Sequence, residues 1–144
     1  MKAVAYSIRP FEKEFLAKAN QKKHDITLIS NGLNIDTAGY AEGKDAVIIF
    51  TDDDVSAPVI GELARLGITN MVTCSNNANH IDKALAARYD IKTCNVKSYP
   101  PWSYISSKTL QDVAGQIIKN LDLWQQNKVQ AQLIKLNRYE TPGR

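Results

Sequence analysis

Short apolar runs alternate along this chain with stretches in which apolar residues recur at helical spacing, and this alternation limits the possible folds more than any other feature. Residues 46–50 (AVIIF) are apolar throughout and rich in β-branched side chains, which is typical of a strand covered on both faces. The other predicted strands are residues 2–8, 25–30, 68–74 and 91–96, and the predicted helices are residues 11–22, 35–40, 56–67, 80–89 and 106–127. Neighbouring parallel strands need a crossover between them, so strands that alternate with helices predict a parallel sheet.

Five strands and five helices in this order predict a single flavodoxin-like, three-layer α/β domain with a five-stranded parallel sheet. Sheets of this kind bind ligands beyond the carboxyl ends of their strands, near the point where the strand order switches. The segments expected at that edge are residues 7–10, 51–54, 75–79 and 97–102.

Composition and charge narrow the functional classes. The chain has 144 residues, of which 44% are apolar and 23% charged, so one domain with a proper core is expected. The net charge of +3 comes from scattered Lys and Arg residues, which argues against a nucleic-acid partner.

The start MKAVAYSIRPFEKEF is interrupted by Arg9 and Pro10 and resembles neither a signal peptide nor a membrane span, so a cytoplasmic protein is expected. Cys74 and Cys94 fall in predicted strands without metal-motif spacing, and we expect both to be buried, structural thiols.

One segment carries a family resemblance. Residues 73–82 (TCSNNANHID) resemble the segment T-R-S-A-G-x-D-x-x-D of D-2-hydroxyacid dehydrogenases, and of the D-lactate dehydrogenase group in particular. Three further segments of the chain resemble parts of that family and occur in the same order and spacing as in the family. They are AYSIRPFEKEFL, AEGKDAVIIFTDDDVSAPVIGELARLGI, and residues 91–99, which resemble I-x-V-x-N-V-P-x-Y-S-P. The resemblance implies that residues 1–96 correspond to the N-terminal part of the substrate domain of these enzymes.

The resemblance continues after residue 96 with a different part of the same enzymes. Residues 105–128 resemble the family's C-terminal helix, whereas in the family an NAD-binding domain comes between the two parts. Residues 97–104 are therefore interpreted as a seam that replaces the NAD domain, and residues 129–144 as a tail. The glycines form no G-x-G-x-x-G cluster of the kind that binds a pyrophosphate, so no cofactor is expected.

The catalytic groups of the family are also expected to be absent. Its substrate-orienting arginine and the carboxylate that supports its histidine belong to the inserted domain. The histidine itself precedes the final helix in a P-H-x-A-F pattern, and residues 100–104 (PPWSY) stand at that place. His24 is expected to be solvated at a polar turn, and His80 to begin a helix. No catalytic residue and no enzyme activity are therefore predicted for the chain as given.

Part of a substrate surface remains. The family holds the substrate carboxylate partly with backbone amides of the S-A-G turn, and a tyrosine and an aromatic residue at the end of the third strand lie beside it. The matching residues, which the resemblance implies could bind substrate, are Phe50, Ser75, Asn76, Asn77 and Tyr99. Asn tolerates left-handed backbone geometry better than most residues, so the turn could persist. The simpler interpretation, which we prefer, is that Tyr99, Trp102 and Tyr104 only cover the core where a domain is missing.

The sequence thus predicts an isolated substrate domain, arisen as a natural remnant or by an engineered deletion, that binds a small 2-oxo or 2-hydroxy acid weakly. The alternative is a protein-interaction or regulatory module that self-associates through the surface exposed by the missing domain. A phosphoacceptor receiver domain is a third interpretation, because Asp52, Asp53 and Asp54 follow the third strand. That site needs acidic residues after the first strand to hold Mg²⁺, and none stands in residues 7–10. No metal site is expected, and the three Asp residues are interpreted as a solvated loop that caps a helix.

Overall fold

The computed structural model describes residues 1–50, 53, 55–74, 81–96 and 106–140, with side chains up to residue 134. The strands in this part of the chain are β1 (Lys2–Tyr6), β2 (Asp25–Leu28), β3 (Ala46–Ile49), β4 (Asn70–Thr73) and β5 (Lys92–Asn95). The α-helices are α1 (Pro10–Asn20), α2 (Ala57–Arg65), α3 (Lys83–Arg88) and α4 (Ser107–Glu140), and a 3₁₀ helix spans Ala38–Ala41.

The five strands form one sheet in the order β2-β1-β3-β4-β5. Every neighbouring pair is parallel, with Ala3 opposite Ala46 and Ala46 opposite Asn70 in the central register. The strand order switches between β1 and β3, because the chain passes from β1 outward to β2 and then back across to β3. This is the flavodoxin-like order, and the predicted fold class is confirmed.

Two apolar cores lie on opposite faces of the sheet. In β3, Val47 and Ile49 contribute to the core beneath α2, α3 and the 3₁₀ helix. Ala46 and Ile48, which alternate with them, contribute to the core beneath α1 and α4. All four side chains are fully buried, which explains why this strand has no polar position.

Helix α4 continues beyond the clearest part of its sequence pattern. The pattern predicts a helix over residues 106–127 that could extend into the tail before residues 141–143, and α4 has 34 residues and reaches Glu140, a length of about 51 Å. Its apolar face is buried from Leu110 to Leu121, and residues 126–134 are all exposed. No Gly or Pro interrupts the sequence between residues 128 and 140, so nothing in the local sequence ends the helix where the core ends.

The remaining elements differ from prediction mainly at their ends. The second predicted helix, residues 35–40, is a single 3₁₀ turn at Ala38–Ala41. Helix α3 begins at Lys83, where the Asp82 side chain accepts a 3.0 Å hydrogen bond from the Leu85 amide, so the predicted start at His80 was too early. His80 itself lies outside the described residues. No helix in the described part of the chain combines the length and apolar character needed to cross a membrane.

Candidate functional site

Phe50 lies at the carboxyl end of β3, where the resemblance places a substrate-contacting aromatic residue. Its amide donates a 3.3 Å hydrogen bond to the Tyr6 carbonyl, so the residue extends the β1–β3 pairing by one step. Phe50 is 6% exposed and packs into the core beneath α1 and α4. It lines a cavity of about 10 Å³ with Glu12 and Leu110 among other residues, which holds at most one water molecule. Phe50 is therefore at the predicted edge, and most of its surface is already covered by the protein.

A hydrogen-bonded bracket joins the ends of three strands beside the switch point. The Ser7 hydroxyl lies 2.9 Å from both carboxylate oxygens of Asp53, and the Leu33 amide donates to the same carboxylate over 2.9 Å. Ser7 has a φ of 59°, a left-handed conformation that costs a non-glycine residue about 1–2 kcal/mol. A Cβ atom on Gly32 would lie 3.2 Å from an Asp53 oxygen, so the glycine permits this close approach. The prediction of a solvated Asp53 is wrong, because this carboxylate is half-buried and ties β1 and the segment after β2 to the loop after β3.

A second polar pair lies immediately after β1. The Glu12 carboxylate accepts hydrogen bonds of 2.9 Å from both the amide and Nε of Arg9, and its second oxygen lies 3.3 Å from Nη2. The Glu12 side chain is 3% exposed, whereas that of Arg9 is 43% exposed. The Arg9 guanidinium also lies 4.7 Å from the centre of the Phe11 ring. The sequence analysis missed this pair, although an acidic residue three positions after a helix start is the spacing of a capping box.

The other predicted substrate contacts fall on segments that the structure does not describe. Ser75, Asn76 and Asn77 belong to residues 75–80, and Tyr99 belongs to residues 97–105, which include the whole predicted seam with Trp102 and Tyr104. The residues just before these segments are described. The Cys74 amide donates to the Ile49 carbonyl over 2.8 Å, and the Val96 amide donates to the Thr73 carbonyl over 2.7 Å. Cys74 and Val96, which precede the two segments, therefore follow adjacent strands at the same edge as Phe50.

The two cysteines are free thiols on neighbouring strands. Cys94 is opposite Val72 in the β4–β5 register, which places its Cα about 8 Å from that of Cys74 for ordinary strand spacings. A disulfide needs less than about 7 Å, so the pair cannot close without backbone movement. Burial, together with the nearby charge of Glu12, raises the pKa of the Cys74 thiol. The prediction of a buried thiol is confirmed for Cys74, whereas Cys94 is only partly buried.

His24 is buried, contrary to the predicted solvated turn. Its side chain is 4% exposed, and its Nε2 lies 2.7 Å from an Asp122 oxygen of α4. Its Nδ1 lies 3.3 Å from the Met1 nitrogen, and Asn20 bonds its backbone in both directions. Burial raises the pKa of the Asp122 carboxyl, but hydrogen bonds and charge from His24 and Lys23 outweigh it and hold that pKa below its usual value. Because both ring nitrogens are engaged within the fold, this histidine anchors α4 to the loop before β2.

A large open cleft lies at the opposite edge of the sheet, where the strands begin. It has a volume of about 690 Å³ and is lined by His24 and by several charged residues, including Lys2, Lys22, Lys23, Asp45 and Lys128. The cations are partly balanced, because Lys23 pairs with Asp122 and Lys128 with Asp45. No group of three or more His, Cys, Asp or Glu side chains among the described residues could hold a metal ion.

The sheet order defines a flavodoxin-like α/β domain, a fold class in which ligands bind beside the switch point, which lies here between β1 and β3. The family model for the catalytic domain of D-isomer specific 2-hydroxyacid dehydrogenases matches residues 3–135. The chain therefore belongs to the family of D-isomer specific 2-hydroxyacid dehydrogenases, and the resemblance found in the sequence is confirmed. The matched range extends from β1 into α4, so the part of the chain before residue 97 and the part after residue 105 both contribute to the match.

Individual relatives agree with the family match. A 2-hydroxyacid dehydrogenase homolog of Zymomonas mobilis is 30% identical over 104 residues, which are 72% of this chain and 31% of that protein. D-lactate dehydrogenase kk1H of Curvularia clavata is 32% identical over 106 residues, covering 70% of this chain and 30% of that protein. The apo-structure of D-lactate dehydrogenase from Escherichia coli superposes with a TM-score of 0.65 at 30% identity, covering 70% of this chain and 32% of that one. The chain thus spans about 30% of the length of the curated relatives it matches.

Proposed function

We propose that this chain is a substrate domain of the D-2-hydroxyacid dehydrogenase type that binds a small 2-oxo or 2-hydroxy acid and does not transfer hydride by itself. The proposal places the ligand at the carboxyl edge of the sheet, against Phe50 and the segments that hold Ser75, Asn76, Asn77 and Tyr99. It includes no cofactor, because the sequence has no glycine cluster for a pyrophosphate. We also propose a cytoplasmic location.

The position of Phe50 is the observation that carries this proposal. It follows β3 directly, beside the switch point where sheets of this topology bind ligands. Cys74 and Val96, the last described residues after β4 and β5, lie at that same edge. The bracket of Ser7, Asp53 and Leu33 holds Asp53, three residues after Phe50, against the ends of β1 and the segment after β2, which supports a preorganised edge.

Titration of the ¹⁵N-labelled protein with pyruvate, and then with D-lactate, tests the binding. Millimolar ligand is expected to shift the amide signals of Phe50, Cys74 and Ser75–Asn77 more than those of strand starts such as Lys2. The variant F50L should weaken the response, whereas F15L, which changes another aromatic residue lining the same cavity, should not. A spectrum that stays unchanged at millimolar pyruvate would refute the binding of the acid.

A second assay tests the absence of catalysis. Incubation of the protein with NADH and pyruvate is expected to leave the absorbance of NADH unchanged, because the chain carries no group assigned to proton transfer or nucleotide binding. Steady oxidation of NADH that disappears on heat denaturation would overturn the non-enzymatic part of the proposal.

A protein-interaction module is the second candidate function. Three apolar side chains on the part of α4 that leaves the domain, Val129, Leu133 and Ile134, are each more than two-fifths exposed. Exposed apolar side chains that cluster on one element are typical of contact surfaces. Light scattering that reports a constant monomer mass over a wide concentration range would count against self-association.

A further inference from the structure

The dipeptide Asn31–Gly32 lies where the segment after β2 meets the bracket of Ser7, Asp53 and Leu33. Asn–Gly dipeptides mark turns, and this one is the single example in the sequence. We propose that Asn31 is a site of spontaneous deamidation and isomerisation, and that its conversion to isoaspartate opens the bracket. This inference goes beyond the proposed function and does not depend on any ligand.

The reaction joins the side chain of Asn31 to the backbone nitrogen of Gly32, and asparagine is among the thermolabile residues. The Gly32 nitrogen gives its proton to a base in the solvent and attacks Cγ of Asn31. The bond from Cγ to the side-chain nitrogen breaks, and ammonia leaves. Water then opens the resulting succinimide ring. Opening at Cγ gives aspartate with a normal peptide bond, whereas opening at the α-carbonyl gives isoaspartate, in which the main chain runs through the side chain.

Both reacting groups are available in the structure. Asn31 is exposed, and the dipeptide lies outside the helices and strands. Within the described part of the chain, neither the Asn31 carboxamide nor the Gly32 amide has a hydrogen-bond partner. Gly32 has no Cβ atom, so no side chain hinders the approach of Cγ to its nitrogen.

Asn34 provides an internal comparison three residues later. It is also exposed, but its Oδ1 accepts hydrogen bonds of 2.8 Å from the Asp36 amide and 3.1 Å from the Thr37 amide. Its carboxamide must give up both bonds before it can reach the next backbone nitrogen, which belongs to the β-branched Ile35. The loss of two hydrogen bonds should slow the reaction at Asn34 about 10-fold or more.

The bracket depends on the main chain at Asn31. The Ser7 amide donates to the Asn31 carbonyl over 2.9 Å, and this bond helps to hold Ser7 in its left-handed conformation. In isoaspartate that carbonyl becomes a free carboxylate, and the main chain gains a methylene group before Gly32. The Leu33 amide, which lies 2.9 Å from Oδ2 of Asp53, is then displaced. The new carboxylate also repels that of Asp53.

Ageing of the native protein at mildly alkaline pH, followed by tryptic peptide mapping, measures the rates. Residues 24–44 form one tryptic peptide, bounded by cleavage after Lys23 and Lys44, which contains both Asn31 and Asn34. Fragment masses show which of them has exchanged its NH₂ group for OH, and chromatography separates the aspartate and isoaspartate forms. Asn31 should convert about 10-fold or more faster than Asn34. Equal rates at the two sites would overturn the assignment.

The variant I35G separates the structural argument from the dipeptide motif. It gives Asn34 a glycine neighbour, and Ile35 is 54% exposed, so no core contact is removed. Because the two bonds to its Oδ1 remain, Asn34 should still convert several-fold more slowly than Asn31. Urea should abolish this difference. Equal rates in native I35G would refute the role assigned to the hydrogen bonds.

The variant N31D tests whether the bracket opens, because it has the new side-chain charge but keeps the normal backbone. In a ¹⁵N spectrum, N31D should leave the amide signals of Ser7 and Leu33 near their wild-type positions. The aged protein should show a second, shifted set of these two signals, in proportion to the isoaspartate found by peptide mapping. New signals that coincide with those of N31D would refute the opening of the bracket.

Discussion

Replacing Leu121 by Ala tests whether α4 is an integral part of the folded domain. Leu121 has 0% of its surface exposed and packs with Ile117 against the face of the sheet that α1 also covers. The substitution removes about three carbon atoms, at about 0.8 kcal/mol each when buried, and leaves a cavity behind. Together these effects should lower the free energy of unfolding by about 3–5 kcal/mol. For a domain of this size that corresponds to a fall in Tm of roughly 10 °C.

Urea unfolding followed by far-ultraviolet circular dichroism gives the free energy, and the m-value reports whether the folded state has stayed compact. The matched control is L123A on the same helix, where 53% of the leucine is exposed, and its effect should stay within about 0.5 kcal/mol. Trp124, which packs partly against the same core, provides a fluorescence signal from α4 itself in a W102F background. If L121A and L123A destabilise the protein equally, α4 is not docked on the sheet and the reasoning is wrong.

Two further predictions concern ionisable groups. The pKa of the Asp122 carboxyl is lowered in the folded state, so its contribution to stability is present above the unfolded value near pH 4 and is lost as the pH falls through the folded value. The difference in the free energy of unfolding between wild type and D122N should therefore be larger at pH 7 than at pH 3. An equal difference at both pH values would contradict the stabilising role of the His24–Asp122 contact. Treatment with a thiol reagent should modify Cys94 faster than Cys74 in the native protein, because burial both covers Cys74 and raises its pKa. Mass spectrometry of the labelled peptides measures the two rates, and faster labelling of Cys74 would refute its burial.

The centre of the sheet could be predicted from sequence because β1, β3 and β4 are short and almost entirely buried. Residues 46–50 show this most clearly, since a β-branched run without polar positions fits little else. The ends of helices were less predictable. Helix α4 continues to Glu140 because good helix formers without Gly or Pro extend well past the last core contact, and only the position of the sheet determines where burial stops.

The long-range polar contacts of the domain could not be predicted, because they join residues far apart in the chain. His24 lies in a locally polar segment, and its burial depends on Asp122, 98 residues later. Asp53 looked like one of three solvated aspartates until the structure placed it against Ser7, 46 residues earlier. The resemblance to the family identified Phe50 as a candidate. It did not identify the pair of Arg9 and Glu12, which the spacing of a capping box could have indicated.

The docking of α4 against the sheet and α1 also has a consequence for synthesis on the ribosome. The face of the sheet that holds Ala3, Ile48 and Val72 is covered in part by α1 and completed by side chains from residues 113–124 of α4. A nascent chain that ends before α4 has all five strands, but one of its apolar faces is covered by α1 alone. Such a chain exposes a sheet surface that is prone to aggregation, so release of the last helix from the exit tunnel is expected to be the event that commits this domain to its native state.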